Sequence, residues 1–295
     1  MENCQKEIFS KNLEKLRNEI MEWFEALILG ILQGLTEFLP VSSSGHLELG
    51  KALLDIKIKD NLLVSIILHA ATALSTLVVF RKEIGLILKG MLQFKWNDEW
   101  QFAVKIIISM IPVGIVGLLF KDILEVYFEG NVSFVGAMLL VTSGLLFLTS
   151  FQQRNNDKSI NQDTTSVALI NQNISYLQAF VIGIAQAIAV LPGLSRSGAT
   201  IATALLIGVP RNEAARFSFL MVLAPIFGAN LLEIKKYVEV DAAFSLDISV
   251  ISIGFITAFV VGLIACYWMI ELVKKGKLIY FAIYCLIVGL IALFV

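Results

Sequence analysis

Apolar residues fall along this chain in long runs, and two of the runs are broken halfway by polar residues. Trp23–Leu39 is apolar and stops at Pro40; serines and a glycine follow, then a second short run, Leu47–Leu54. Neither half reaches the roughly 20 residues a helix needs to cross a bilayer. The pair is therefore predicted to form a re-entrant hairpin over 23–55 that enters and leaves on one side. Three runs of spanning length follow at about 62–80, 101–120 and 132–151. Between the first two, residues 81–100 have the mixed character of the headgroup layer, with Trp96 and Trp100 among them. A polar stretch, 152–174, marks the midpoint, and the pattern restarts. Tyr176–Leu191 is a short apolar run, Pro192 and Gly193 break it, and Ala199–Val209 completes a second hairpin over 176–209. Runs at about 214–232, 248–270 and 278–295 close the chain. The polar tail, 1–21, lacks the apolar core of a cleavable signal peptide, and Met21 is an alternative start. Phe9, Leu13, Leu16 and Ile20 recur there at helical spacing, which predicts an amphipathic helix on the membrane surface.

The two halves also share letters. A shift of 153 residues (183 − 30) places Gly30, Ile31 and Gln33 on Gly183, Ile184 and Gln186, and Ser42, Ser44 and Gly45 on Ser195, Ser197 and Gly198. A hairpin that crosses zero times followed by three crossings reverses the second copy in the membrane, so the repeat is inverted. The predicted fold is an all-α polytopic membrane protein. It is one integrated domain of two inverted-topology repeats, 22–151 and 175–295, each a re-entrant hairpin with three transmembrane helices, six full spans together.

Composition agrees: 57% of residues are hydrophobic and 16% charged, where a soluble domain has about a quarter charged. The net charge of −1 hides an asymmetry between the two membrane faces. Arg81, Lys82, Lys89, Lys95, Arg154, Lys158, Arg211, Arg216, Lys274, Lys275 and Lys277 fall on one face. Lys51, Lys57, Lys59, Lys121, Lys235 and Lys236 fall on the other, among many acids. The basic face is expected to be cytoplasmic, which places both termini and the mouth of the first hairpin outside the plasma membrane. Four cations of the tail, Lys6, Lys11, Lys15 and Arg17, oppose this assignment. The three cysteines are scattered, with no spacing of a metal site or disulfide framework. Nucleic acid is not an expected partner, and a homodimer is left open.

The chemistry gathers at the two breaks. Gln33 and Glu37, four apart, share a helix face, and a carboxylate at that depth needs a cavity, a metal or a partner. Ser42, Ser43, Ser44 and Gly45 lead into a helix start, whose free N–H groups and dipole suit an anion. A plain serine N-cap accounts for one serine, not three followed by Gly45 and His46. His46 beside them can move a proton at neutral pH, whereas His69, alone inside a span, reads as structural. In the second break Arg196 offers a fork of N–H donors that matches phosphate. Ser195, Ser197 and Thr200 surround it, Thr203 lies one turn on, and Gly193 and Gly198 permit close backbone approach. At the shifted positions of Glu37 and His46 the second half has Val190 and Ala199, so acid, base or nucleophile come from one half and the cationic clamp from the other. That division suits transfer or hydrolysis at a phosphoryl group.

On these motifs the sequence resembles the undecaprenyl-diphosphatase family of bacitracin-resistance lipid phosphatases. QGLTEFLPVSSSGH at 33–46 is similar to the family's E/Q-x-x-x-E motif with its following serines and histidine, and PGLSRSGAT at 192–200 to its PG-x-SRS-x-x-T motif. FSFLMVLAP at 217–225 and GFITAFVVGLIA at 254–265 are similar too, and the likeness runs from about residue 22 onward. Here Gln33 takes the place of a glutamate, which removes a second carboxylate. The resemblance implies hydrolysis of a polyprenyl diphosphate lipid, undecaprenyl diphosphate, to the carrier lipid undecaprenyl phosphate. It also implies a divalent cation, Mg²⁺ or Ca²⁺, with Glu37 and Gln33 as its nearest ligands, and a site opening outward. In the expected mechanism Ser43, or else Ser42, attacks phosphorus, His46 takes the proton, Glu37 positions His46 or the metal, and Arg196 stabilises the developing charge. Direct attack by water is the alternative chemistry. The prenyl chain is expected in a lipid-facing cleft between the halves. The rival reading from another class is an inverted-repeat transporter or flippase of a polyprenyl phosphate.

Overall fold

The computed structural model describes residues 2–54, 56, 61–120, 131–156, 174–239 and 247–294. Most of the 152–174 segment therefore lies outside the described residues, as do Lys57, Lys59, Lys121 and Lys158. So do the side chains of Phe9, Leu13, Leu16, Arg154, Lys236 and the tail cations. Among the described residues there are eleven helices: α1 (Glu2–Phe38), α2 (Ser43–Leu54), α3 (Asn61–Val79), α4 (Arg81–Met91), α5 (Asp98–Leu119), α6 (Val132–Asn156), α7 (Tyr176–Ile188), α8 (Arg196–Leu206), α9 (Arg211–Glu239), α10 (Ile248–Lys274) and α11 (Ile279–Phe294). Helices satisfy backbone N–H and C=O groups within one segment, which a chain this apolar requires when lipid replaces water.

The molecule is a polytopic helical membrane protein. α5, α6, α9 and α10 are each long and apolar enough to cross a bilayer. α3 passes the same test together with α4, from which it is bent by 73°, and α11 is apolar but covers 16 residues. The tail is not a separate element: α1 runs unbroken from Glu2 into the first arm of the hairpin. Residues 81–91, read from sequence as mixed headgroup-level chain, form α4.

Packing is crosswise between the halves. α1 lies along α10 and α7 along α5; α3 contacts α9 and α10, and α6 pairs with α11. Small residues make the approach close. A Cβ on Gly34 would come within 2.8 Å of Val261 Cβ on α10, and one on Gly136 of α6 within 2.8 Å of the Gly289 carbonyl on α11. Helices in lipid associate through such small-residue contacts because the surrounding chains are as apolar as leucine. The main core gathers Phe38, Phe80, Phe102, Phe217, Phe219 and Met269. The tips of both hairpins therefore end inside protein, where polar side chains can be gathered away from lipid.

Candidate active site

The two breaks are built alike. Each has a serine at the N-cap of its second helix: Ser42 Oγ accepts from Gly45 N at 3.3 Å, and Ser195 Oγ from Gly198 N at 3.0 Å. Each cap serine also meets the serine two residues on, Ser42 with Ser44 at 3.4 Å and Ser195 with Ser197 at 3.3 Å. The tips touch reciprocally. A Cβ on Gly45 would lie 3.2 Å from Gly193 Cα, and one on Gly198 would lie 3.3 Å from Pro40 Cβ. Pro40 and Gly193 are themselves 153 apart, so the same shift exchanges the two contacts. Ser197 Oγ donates across to the Leu39 carbonyl at 3.2 Å. α6 and α11 brace the loops from behind: Ser195 N donates to Thr142 Oγ1 at 3.1 Å, and Cys285 Sγ contacts the Pro40 carbonyl at 3.5 Å. The backbones differ at one point. Gly193 adopts φ 86° in the second turn, whereas in the first it is Ser42 that holds φ 71°, a conformation costly for a side chain with a Cβ.

Glu37, at the end of α1, is the hub where the hairpins meet. Arg196 Nη2 donates to its Oε1 at 3.0 Å. Ser43 Oγ donates to its Oε2 at 2.6 Å, and Gln33 Nε2 to the same oxygen at 3.0 Å. The second amide proton of Gln33 points to Thr72 Oγ1 at 3.4 Å, whose own hydrogen is occupied by carbonyls of α3. Two acceptors at Nε2 fix the amide orientation, and Gln33 Oε1 is left buried without a protein partner. The Glu37 carboxylate is 7% exposed and the Arg196 side chain 28%, so the pair is sunk in protein while the guanidinium is reachable.

His46 is held at both ring nitrogens. Its Nδ1–H donates to the Ser42 carbonyl at 2.8 Å, and Nε2 meets the Tyr284 hydroxyl of α11 at 2.8 Å, with the rings stacked at 5.5 Å. The Ser43 hydroxyl donates to Glu37. Ser43 and His46 both open α2; the first reaches α1 and the second reaches α11. Thr200 also turns inward to its own helix, donating to the Arg196 carbonyl at 2.9 Å.

Three residues join the site that sequence reasoning did not select. His69 Nε2 lies 3.9 Å from Glu37 Oε2, with Nδ1–H on the Ser65 carbonyl at 2.9 Å; Thr72 holds Gln33, and Tyr284 holds His46. A signal for the first two was available. Ser65, His69, Thr72 and Thr76 recur at spacings of four, three and four, a polar stripe on one face of an apolar helix. Nothing in an apolar run marks Tyr284. The second half holds no equivalent cluster: Gln186, at the shifted position of Gln33, is wholly buried and both its amide atoms lack a protein partner.

These residues alone do not complete the shell of a divalent cation; Mg²⁺ and Ca²⁺ take six or more oxygen ligands, part of which water and substrate phosphates can supply. Here one carboxylate has both oxygens facing N–H and O–H donors, and one amide oxygen, Gln33 Oε1, is free. Among the described residues no three of His, Cys, Asp and Glu are grouped to hold a metal.

The arrangement can hold an anion between two helix starts and a guanidinium, with a hydroxyl already hydrogen-bonded to a carboxylate. Known proteins similar to this chain bear the name undecaprenyl-diphosphatase. An undecaprenyl-diphosphatase of Christiangramia forsetii is 56% identical over 275 residues, covering 92% of this chain and 98% of its own. One from Bacteroides thetaiotaomicron is 52% identical over 273 residues, covering 92% and 97%. One from Methanosphaera stadtmanae is 37% identical over 289 residues, covering 93% of this chain and 98% of its own. The family described as Bacitracin resistance protein BacA matches residues 26–291, both hairpins and all that lies between them. This chain belongs to that family.

Proposed function

We infer that this protein is an integral-membrane phosphatase that hydrolyses undecaprenyl diphosphate to undecaprenyl phosphate and inorganic phosphate. It thereby returns the carrier lipid to peptidoglycan synthesis and confers bacitracin resistance. The observation that carries the mechanism is the 2.6 Å bond from Ser43 Oγ to Glu37 Oε2, with Arg196 on the carboxylate's other oxygen. A hydroxyl within reach of a base is an activated nucleophile.

In the proposed reaction the terminal phosphate lies between the starts of α2 and α8. Ser43 Oγ attacks its phosphorus as its proton passes to Glu37 Oε2. The bond to the bridging oxygen breaks, and undecaprenyl phosphate leaves with the electron pair. Protonation removes the charge that held Arg196 on Glu37, so the fork is released to the phosphoryl oxygens as their charge grows. Water then attacks the phosphoserine, Ser43 departs by recovering the proton from Glu37, and phosphate leaves with the proton of water. Ser42 serves as cap, and His46 with Tyr284 holds the first turn. Water activated by Glu37 is the alternative nucleophile. A divalent cation would be held only in company with the diphosphate, whose oxygens would supply ligands the protein lacks.

An inverted-topology repeat of six crossings is supported by the paired turns, the reciprocal contacts of the tips and the crosswise helix packing. The loop charges support a site opening to the outer face of the plasma membrane. For the prenyl chain we propose the apolar groove of about 550 Å³ between α5 of the first half and α7 of the second, lined by Ile111, Ile115, Phe180, Ile184 and Leu191, which ends beside the second turn.

The deciding experiment is release of inorganic phosphate from undecaprenyl diphosphate by the purified protein in detergent. Turnover abolished by Ser43→Ala and severely reduced by Arg196→Lys is expected. Tight binding of the lipid without phosphate release would overturn the hydrolase in favour of a lipid carrier.

A further inference from the structure

The segment between α3 and α5 takes no part in the site, yet it is unusually dressed. The chain leaves α3 at Phe80 and bends by 73° into α4, so the two helices do not share an axis. The inner side of α4 is fixed to protein. Ile87 enters the core, Asn97 Nδ2 donates to the Gly90 carbonyl at 2.9 Å, and Trp100 Nε1 donates to the Met91 carbonyl at 3.0 Å. Large apolar groups stand in the open on α4 and in the turn after it: Leu88 of the helix is 56% exposed, and in the turn Leu92 is 72%, Phe94 84% and Trp96 66% exposed. Beside them Lys82, Lys89 and Lys95 are exposed. From residue 81 to 97 there are four cations and one acid, Glu83, and the acids Asp98 and Glu99 follow at the start of α5, so cations exceed acids by one over 81–99.

We propose that α4 and the turn after it form a docking surface for anionic phospholipid headgroups of the surrounding bilayer. An in-plane helix with aromatic and aliphatic groups on one edge and lysines on the other is the form that seats in the headgroup layer. Its apolar edge enters the acyl boundary, and long lysine side chains reach the phosphates above it. The excess of cations over acids selects anionic over zwitterionic lipid. The position excludes a soluble occupant, because the surface continues directly from the end of a membrane-embedded helix, at the level where tryptophan anchors sit. α4 is tied to α5, so bound lipid secures the end of α3, the helix that carries His69 and Thr72.

The test is quenching of Trp96 by lipids brominated near the headgroup, with the full-length protein in phospholipid vesicles. The Trp96 signal is the difference between wild type and Trp96→Phe. Brominated phosphatidylglycerol is expected to quench it at lower mole fraction than brominated phosphatidylcholine. Each lysine changed to glutamine should weaken the preference about fivefold, and added salt should erode it. A triple Lys→Arg variant at 82, 89 and 95 should keep the preference, which separates charge from fold. Equal quenching by both lipids would overturn the headgroup selectivity. Absence of any Trp96-dependent quenching would overturn the lipid contact itself and assign the surface to a protein partner.

Discussion

Glu37 and Arg196 stand 159 residues apart and meet at 3.0 Å at the contact between the two hairpins. Neither has a charged counterpart in its own break, so each half neutralises the other's buried charge. An unpaired ion at this depth costs several kcal/mol, and the pair therefore couples assembly of the halves to formation of the site. Arg196→Lys keeps the charge and loses the planar fork. It should retain the helical circular dichroism spectrum and lose about 10²–10³-fold in phosphate release. Arg196→Ala should in addition cost about 3 kcal/mol of stability, measured by thermal melting, because Glu37 is left buried and unpaired.

The neighbouring serines should behave oppositely. Ser43→Ala removes the hydroxyl on Glu37 and should abolish turnover; survival of activity would move the attack to water. Ser42 holds φ 71° and acts as a cap. Ser42→Gly relieves the strain at little cost in capping, so its melting temperature should match or exceed wild type. Ser42→Ala keeps the strain and loses the cap, and should fall by about 1–2 kcal/mol.

His46 and Tyr284 should act as one unit. The 2.8 Å bond and stacked rings join a helix of the first hairpin to the last helix of the chain. In a double-variant cycle on phosphate release, Tyr284→Phe should add nothing once His46→Ala is present. Independent, additive losses would separate the tyrosine from the histidine.

Substrate-free protein should bind no divalent cation. Mn²⁺ titration followed by electron paramagnetic resonance should show only free ion, and addition of a non-hydrolysable prenyl bisphosphonate should bring Mn²⁺ to the protein. Gln33→Glu supplies a second carboxylate four residues from Glu37 and should create substrate-free binding. Stoichiometric Mn²⁺ on wild type without bisphosphonate would refute the ligand count.

Much of this was legible in the sequence because lipid makes the code simple. Spans show as runs and broken helices as interruptions, and a carboxylate or guanidinium at membrane depth stands out against its surroundings. The duplicated serines announced two similar turns, and the structure builds them with the same capping bonds. Less legible were features that depend on which face a helix turns inward. α1 absorbs the tail because nothing in residues 1–22 stops a helix, and α4 was hidden because mixed composition carries no clear period.

Sequence alone determined that the chain lives in a membrane, that its buried polar groups gather at two broken helices, and that acid and cation come from different halves. It could do so because the cost of a polar group in lipid is paid residue by residue. Only the tertiary structure decided the partners: Glu37 rather than His46 beside Ser43, His69 beside Glu37, and Tyr284 behind His46. Those choices follow from helix packing, which sets α1 beside Ser43 and α11 beside His46.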